Sequence, residues 1–147
     1  RVRARLGNHA IRQVRLVESH IPERAAVLVP FSADCDLAPS EKASSAMSEK
    51  DRPSRLFDLP ECVEVSFAEV PDGPPLHFRW RRAAYRALRA EGPERISPEW
   101  WRGGEAGATR DYFRVEDEAG RRYWLYREGL YGEADTSPRW YLQGLSA

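Results

Sequence analysis

Residues 110–127 read Arg-Asp-Tyr-Phe-Arg-Val-Glu-Asp-Glu-Ala-Gly-Arg-Arg-Tyr-Trp-Leu-Tyr-Arg. Two runs of aromatic and β-branched residues, 112–115 and 123–126, flank a short polar stretch that ends in Gly120. This is the pattern of a β-hairpin, with Gly120 free to take the positive φ that its turn needs. Side chains alternate along a strand, so Phe113 and Val115 share one face, as do Tyr123 and Leu125. The opposite face carries Tyr112, Arg114, Trp124 and Tyr126. A hairpin with rings on both faces is either buried on both sides or presents one aromatic face to a partner, and the pattern alone leaves both open.

Outward from the hairpin the chain continues in strand-like pieces. Residues 62–70 alternate Val63, Val65 and Phe67 on one side, and Asp72-Gly73-Pro74-Pro75 makes a turn. Residues 76–81 carry His77, Phe78 and Trp80. Residues 83–90 have helix-forming composition, yet their place between strands favours a strand. Glu91-Gly92-Pro93-Glu94-Arg95 is expected to turn the chain. Residues 96–101 then form an extended piece ending in Trp100 and Trp101, and a glycine-rich loop over 102–109 leads into the hairpin. After a loop at 129–137, residues 139–145 form a last strand with Trp140 and Leu142 on one face and Tyr141 and Gln143 on the other. About six short strands separated by turn residues predict a mainly β fold (α+β overall): a small antiparallel β-barrel or sandwich.

The N-terminal part differs. Residues 1–6 read as the end of a helix with Gly7 as its C′ residue, followed by strands at 13–17 and 25–29 joined by a connector at 19–24. From 32 to 54 the composition shifts to Ser, Ala, Asp, Glu, Lys and Pro, without Tyr or Trp. Such a stretch buries too little apolar surface to offset its ordering entropy, so it reads as a flexible linker. The expected plan is an N-terminal region at 1–31, the linker at 32–54 and a β-rich domain at 55–147.

At 147 residues and 41% hydrophobic content, the chain can hold one modest core. Lys+Arg 23 balances Asp+Glu 23, so no global field draws it to nucleic acid. The charges are uneven: residues 1–29 carry six arginines against two glutamates, and residues 30–70 carry nine acids against four bases. The simpler reading of this asymmetry is a solvated exterior. Lys42 and Lys50 are the only lysines, and arginine suits bidentate contacts and stacking on rings. Cys35 and Cys62 lie far apart in the sequence with no C-x-x-C spacing, so neither a zinc site nor a disulfide framework is indicated. No apolar run approaches membrane-spanning length and no signal peptide is visible, which predicts a cytoplasmic protein without membrane contact. A first residue of Arg rather than Met suggests a piece of a longer protein.

Catalytic constellations are sparse. His9, His20 and His77 are scattered, with none at ligand spacing to another His or Cys. Neither a nucleophile elbow nor a phosphate loop occurs, and Gly103-Gly104 with Gly107 is a loop. Glu116-Asp117-Glu118 reads as a solvated hairpin tip. No catalytic residue, metal site or cofactor is therefore expected. What stands out is Trp100, Trp101, Tyr112, Trp124, Tyr126, Trp140 and Tyr141 interleaved with Arg95, Arg102, Arg110, Arg114, Arg122, Arg127 and Arg139. This pattern suits stacking on single-stranded nucleic acid or a protein interface anchored by Trp, Tyr and Arg. For any single ring, a place in the core is the plainer reading.

Three segments carry a resemblance. They are Gly92-Pro93-Glu94-Arg95-Ile96 with Glu99-Trp100-Trp101, the quoted hairpin 110–128, and the closing Arg139-Trp140-Tyr141-Leu142-Gln143-Gly144-Leu145. In this order they resemble the C-terminal region of the ImuB family, Y-family DNA-polymerase-like subunits of a bacterial inducible mutagenesis system. Arg3-Ala4-Arg5-Leu6-Gly7 and residues 19–25 resemble the end of the same family's little-finger region. The resemblance implies a non-catalytic adaptor in error-prone translesion synthesis and the DNA damage response. Its partners would be a RecA-like accessory protein and an error-prone polymerase subunit, with DNA as a further candidate and a sliding clamp bound through an upstream region. Candidate partner- or nucleic-acid-binding residues are Trp100, Trp101, Arg110, Tyr112, Arg114, Arg122, Trp124, Tyr126, Trp140, Tyr141, Leu142 and Leu145. The alternative is a small β-barrel that binds single-stranded nucleic acid through Trp, Tyr and Arg. Two departures stand out: Gln143 and Ser146 replace a His and a Phe of the family tail, and Arg55-Leu56-Phe57 lacks the leading Gln of a clamp-binding peptide.

Overall fold

The computed structural model describes residues 5, 7, 10–31, 53–68, 73–102, 107–129 and 138–146. The chain divides into two compact units, Arg1–Glu49 and Lys50–Ala147. In the first, β1 (Arg12–Leu16) pairs antiparallel with β2 (Ala26–Pro30), and a 3-10 turn at Pro22–Arg24 joins them. Both strands fall one residue from their expected positions. Most of the expected helix end at 1–6 lies outside the described residues, and Gly7 has the φ of +84° that a C′ residue takes. The expected linker at 32–54 also lies outside them, apart from Pro53 and Ser54.

The second unit is built from β3 (Arg55–Ala68), β4 (Pro75–Trp80), β5 (Ala83–Ile96), β6 (Arg110–Asp117), β7 (Arg122–Glu128) and β8 (Arg139–Ser146). All pairings are antiparallel, in the order β3-β4-β5-β6-β7-β8, and β3 also pairs with β8. Two long strands change partner along their length. β3 pairs with β8 over 55–63 and with β4 over 64–68, while β5 pairs with β4 over 83–86 and with β6 over 87–96. A chain that switches neighbours in this way must bend, and both strands carry bulges. The expected mainly β, antiparallel fold is what the structure has. Residues 83–90 are strand, as their context argued and against their composition, because pairing on both sides overrides propensity.

Three expectations need correction. Residues 91–95 do not turn the chain; they lie within β5. Pro93 has no N–H to give the ladder, so Gly92 and Pro93 bulge out between the pairs Glu91↔Arg114 and Glu94↔Tyr112. Gly92 has φ +132°, and a Cβ there would stand 2.6 Å from the carbonyl oxygen of Tyr112. The extended piece at 96–101 ends in a 3-10 turn, Trp100–Arg102, closed by the Trp100 N–H donating to the Pro98 carbonyl at 2.9 Å. The first strand of the domain begins at Arg55 rather than at 62, with residues 57–60 bulged opposite Gln143.

The hairpin has the expected register, Phe113 opposite Leu125 and Val115 opposite Tyr123, with Gly120 at φ +75°. These four side chains join Val63, Phe78, Trp140 and Leu142 in the core. Phe78 stacks on Tyr85 at 5.2 Å and meets Tyr123 edge-on at 5.3 Å, and Phe113 lies 5.4 Å from Trp140. The β4–β5 connection is a two-residue turn in which Arg81 and Arg82 both have positive φ, +46° and +69°. That is the geometry of a type I′ turn, here without the glycine or asparagine that usually fills it.

Candidate interaction surface

Two ionic networks bracket the aromatic core, and neither was foreseen as such. Asp111 on β6 and Arg127 on β7 face each other in the register, and neither has any exposed surface. The Arg127 Nη2 donates to Asp111 Oδ2 at 2.5 Å, and Arg95 forks onto the same carboxylate through Nε at 2.7 Å and Nη2 at 2.9 Å. Burial by itself would push the Asp111 carboxyl up, but the hydrogen bonds and charges of Arg95 and Arg127 outweigh it and hold the group below the ordinary carboxylate range. At the turn end, Asp117 accepts from the Ala119 and Arg121 N–H groups, from Arg121 Nε at 2.8 Å and from the Tyr123 hydroxyl at 2.9 Å. Burial opposes these bonds, yet they keep the Asp117 carboxyl low, while burial and Asp117 together push the Tyr123 hydroxyl well above its usual value. Asp117 is 3% exposed, which corrects the reading of Glu116-Asp117-Glu118 as a solvated tip: its middle carboxylate organises the turn. The sequence signal was present, since an Asp opening a turn before Gly commonly bonds its own backbone.

The aromatic candidates sort into two groups. Tyr112, Trp124 and Tyr126 lie on the hairpin face away from the core and are nevertheless 1%, 3% and 2% exposed. Tyr112 lies 4.5 Å from Trp124 and 5.0 Å from Tyr126, and Tyr126 stacks on the half-buried Tyr141 at 5.1 Å. Arg110 lies 4.8 Å over the Tyr126 ring and its Nη1 donates to the Tyr112 hydroxyl at 3.4 Å. The hairpin is therefore buried on both faces. Trp140 and Leu142 are in the core, and Leu145 packs against it. Arg114 pairs with Glu91 at 2.9 Å and Arg122 with Glu116 at 3.3 Å, both on the surface. Trp100 and Trp101 are the exception. They are 74% and 56% exposed and meet each other edge-to-face, 5.8 Å apart at 87°.

The closing segment is not a free edge. β8 lies between β7 and β3 and is hydrogen-bonded to both, so it has no unpaired side for strand addition. Gln143 is fully buried, and its Nε2 donates to the Phe57 carbonyl at 3.4 Å across the β3 bulge. Ser146 pairs with Arg122 at the end of the β7–β8 ladder. Leu56 and Phe57 belong to β3, which fits their reading as the entry to the β-rich domain.

Among the described residues no three His, Cys, Asp or Glu side chains gather to hold a metal ion. Cys62 is a free, exposed thiol on β3, and His77 is exposed on β4 opposite Arg86. No helix among the described residues is long and apolar enough to cross a membrane.

Residues 52–146, the whole of the six-stranded part, match DUF6504, described as a domain of unknown function, and the chain belongs to this family. Among curated proteins it is 45% identical over 149 residues to Protein ImuB of Caulobacter vibrioides strain NA1000 / CB15N, and equally to that of strain ATCC 19089 / CIP 103742 / CB 15. The match takes in 96% of this chain but spans only 31% of the length of those relatives, and it is to a C-terminal part of them. No solved structure matches the chain significantly.

Proposed function

We propose that this chain is a non-catalytic adaptor region of an ImuB-like mutagenesis protein, acting in error-prone translesion synthesis by docking partner proteins. One observation carries the reading: of the candidate rings, Trp100 and Trp101 are the two that are more than half exposed. An indole buries roughly 200 Å² when covered, worth several kcal/mol at about 25 cal/mol per Å². Two adjacent indoles on a surface turn are the kind of anchor that dominates protein interfaces. The remaining rings then serve as scaffold. In this reading the six strands form a small closed barrel over residues 55–147, residues 1–31 belong to a neighbouring polymerase-like region, and 32–54 link the two. The partners are the RecA-like accessory protein and the error-prone polymerase subunit of the mutagenesis complex, met in the cytoplasm.

The test is binding of each partner to the wild-type chain and to a Trp100→Ala/Trp101→Ala variant at two salt concentrations. The reading expects salt-tolerant binding that weakens on the order of a hundredfold in the variant, with thermal unfolding unchanged. Binding only to single-stranded DNA, collapsing with added salt through counterion release, would contradict it.

A further inference from the structure

Three half-buried rings pack against the edge of the core: Phe57 lies 6.3 Å from Trp80, Trp80 lies 6.3 Å from Tyr85, and Trp80 and Tyr85 lie 6.4 Å and 5.2 Å from Tyr123. Each has its own arginine over it. Arg55 lies 5.8 Å from the Phe57 centroid, Arg81 4.8 Å from Trp80 and Arg121 5.3 Å from Tyr85. Arg81 donates through Nε and Nη2 to Glu61, whose Oε2 also accepts from Trp80 Nε1 at 2.7 Å. Arg121 likewise uses Nε and Nη2 on Asp117. Both side chains remain 64% and 60% exposed, and among the described residues the Nη1 of each makes no hydrogen bond. Arg55 and the neighbouring Arg82 are exposed and make no ion pair among the described residues. A guanidinium fixed by a two-pronged carboxylate bond and a ring has little freedom left to lose when its remaining donors meet an anion.

We propose that this cluster of arginine-covered rings docks an acidic segment of a partner protein. The carboxylates that hold this cluster, Glu61 and Asp117, are already engaged by Arg81 and Arg121, and the Arg86–Glu118 and Arg122–Glu116 pairs next to it are likewise internal. That leaves Arg55 and Arg82 to meet an incoming carboxylate. Single-stranded nucleic acid fits less well. Guanidiniums already occupy faces on which bases would stack. The surface is distinct from the Trp100–Trp101 pair and does not depend on it.

The probe is a fluorescein-labelled nonapeptide alternating glutamate and valine, followed by anisotropy against the full chain. A lysine–valine peptide and an oligothymidylate of the same length serve as comparisons. Arg55→Gln breaks no ion pair, so its fold is expected to be intact, and thermal unfolding checks this. The proposal expects the glutamate peptide to bind and the lysine peptide not to. It expects a loss of about tenfold in Arg55→Gln, one charge-assisted contact's worth, and unchanged binding in Trp100→Ala/Trp101→Ala. Failure of the glutamate peptide to bind, equal binding of the lysine peptide, tighter binding of the oligothymidylate, or unaltered affinity in Arg55→Gln would each overturn it. Loss of binding in the tryptophan variant would move the site to that pair and overturn it as well.

Discussion

Replacing Asp111 by Asn keeps the size and shape of a side chain that has no exposed surface, but removes the carboxylate that bonds Arg127 across the β6–β7 pair. Arg127 is itself fully buried, with its guanidinium carbon 6.0 Å from the centre of the Trp140 ring. Breaking a buried pair from one side typically costs about 3–5 kcal/mol, because the surviving buried ion loses the opposite charge it was packed against. Arg127→Met should cost less, since Asp111 keeps both prongs of the half-exposed Arg95. The double variant Asp111→Asn/Arg127→Met removes both buried charges, and should be more stable than Asp111→Asn alone. Urea unfolding followed by tryptophan fluorescence measures all three and yields the coupling as a double-mutant cycle. A cost below about 1 kcal/mol for Asp111→Asn, or strict additivity in the cycle, would show that the network is not what closes this end of the core.

Acid should destabilise the domain for a related reason. The folded pKa values of Glu61, Asp111 and Asp117 are all depressed, so their contribution is complete above the unfolded carboxylate range, about pH 4, and is lost as the pH falls below it. Tyr123 has the opposite sign: its raised pKa contributes stability that begins to be lost above about pH 10. Unfolding midpoints across pH 2–11 check both limbs, and a flat acid limb would refute the first. Gly92→Ala should cost at least about 2 kcal/mol, because its Cβ would stand 2.6 Å from the Tyr112 carbonyl at a φ that alanine avoids; unchanged stability would mean the bulge readily moves. Arg82→Gly should stabilise by roughly 0.5–1 kcal/mol, by relieving a positive φ in the exposed β4–β5 turn. Trp140→Ala, at a ring that is 5% exposed, should cost about 3–5 kcal/mol in unfolding free energy.

The strands were legible because they follow period-two patterning and clear turn chemistry: the 110–127 hairpin, its faces and the Gly120 turn all emerged from alternation alone. The Gly92-Pro93 pair misled, since the same two residues that end a strand also serve as a bulge within one, and only the β6 neighbour distinguishes the cases. The ion cluster was illegible for a similar reason. Arg95, Asp111 and Arg127 are brought together by register, and a strand carrying Asp and Arg among aromatics reads as amphipathic until both neighbours are known. For the candidate surface, the sequence supplied a set of rings but not their exposure. Interleaved Trp, Tyr and Arg look alike whether the arginine covers a buried ring, as Arg110 does over Tyr126, or stands beside solvent-exposed indoles such as Trp100 and Trp101.

The measurement that bears most directly on the adaptor reading is calorimetric titration of the RecA-like accessory protein into the wild-type chain and into Trp100→Ala/Trp101→Ala. The account predicts a complex with wild type that persists at raised salt and is weakened on the order of a hundredfold by the two substitutions, with the unfolding midpoint unmoved. Equal affinity for both chains, or no complex with either the accessory protein or the error-prone polymerase subunit, would contradict it.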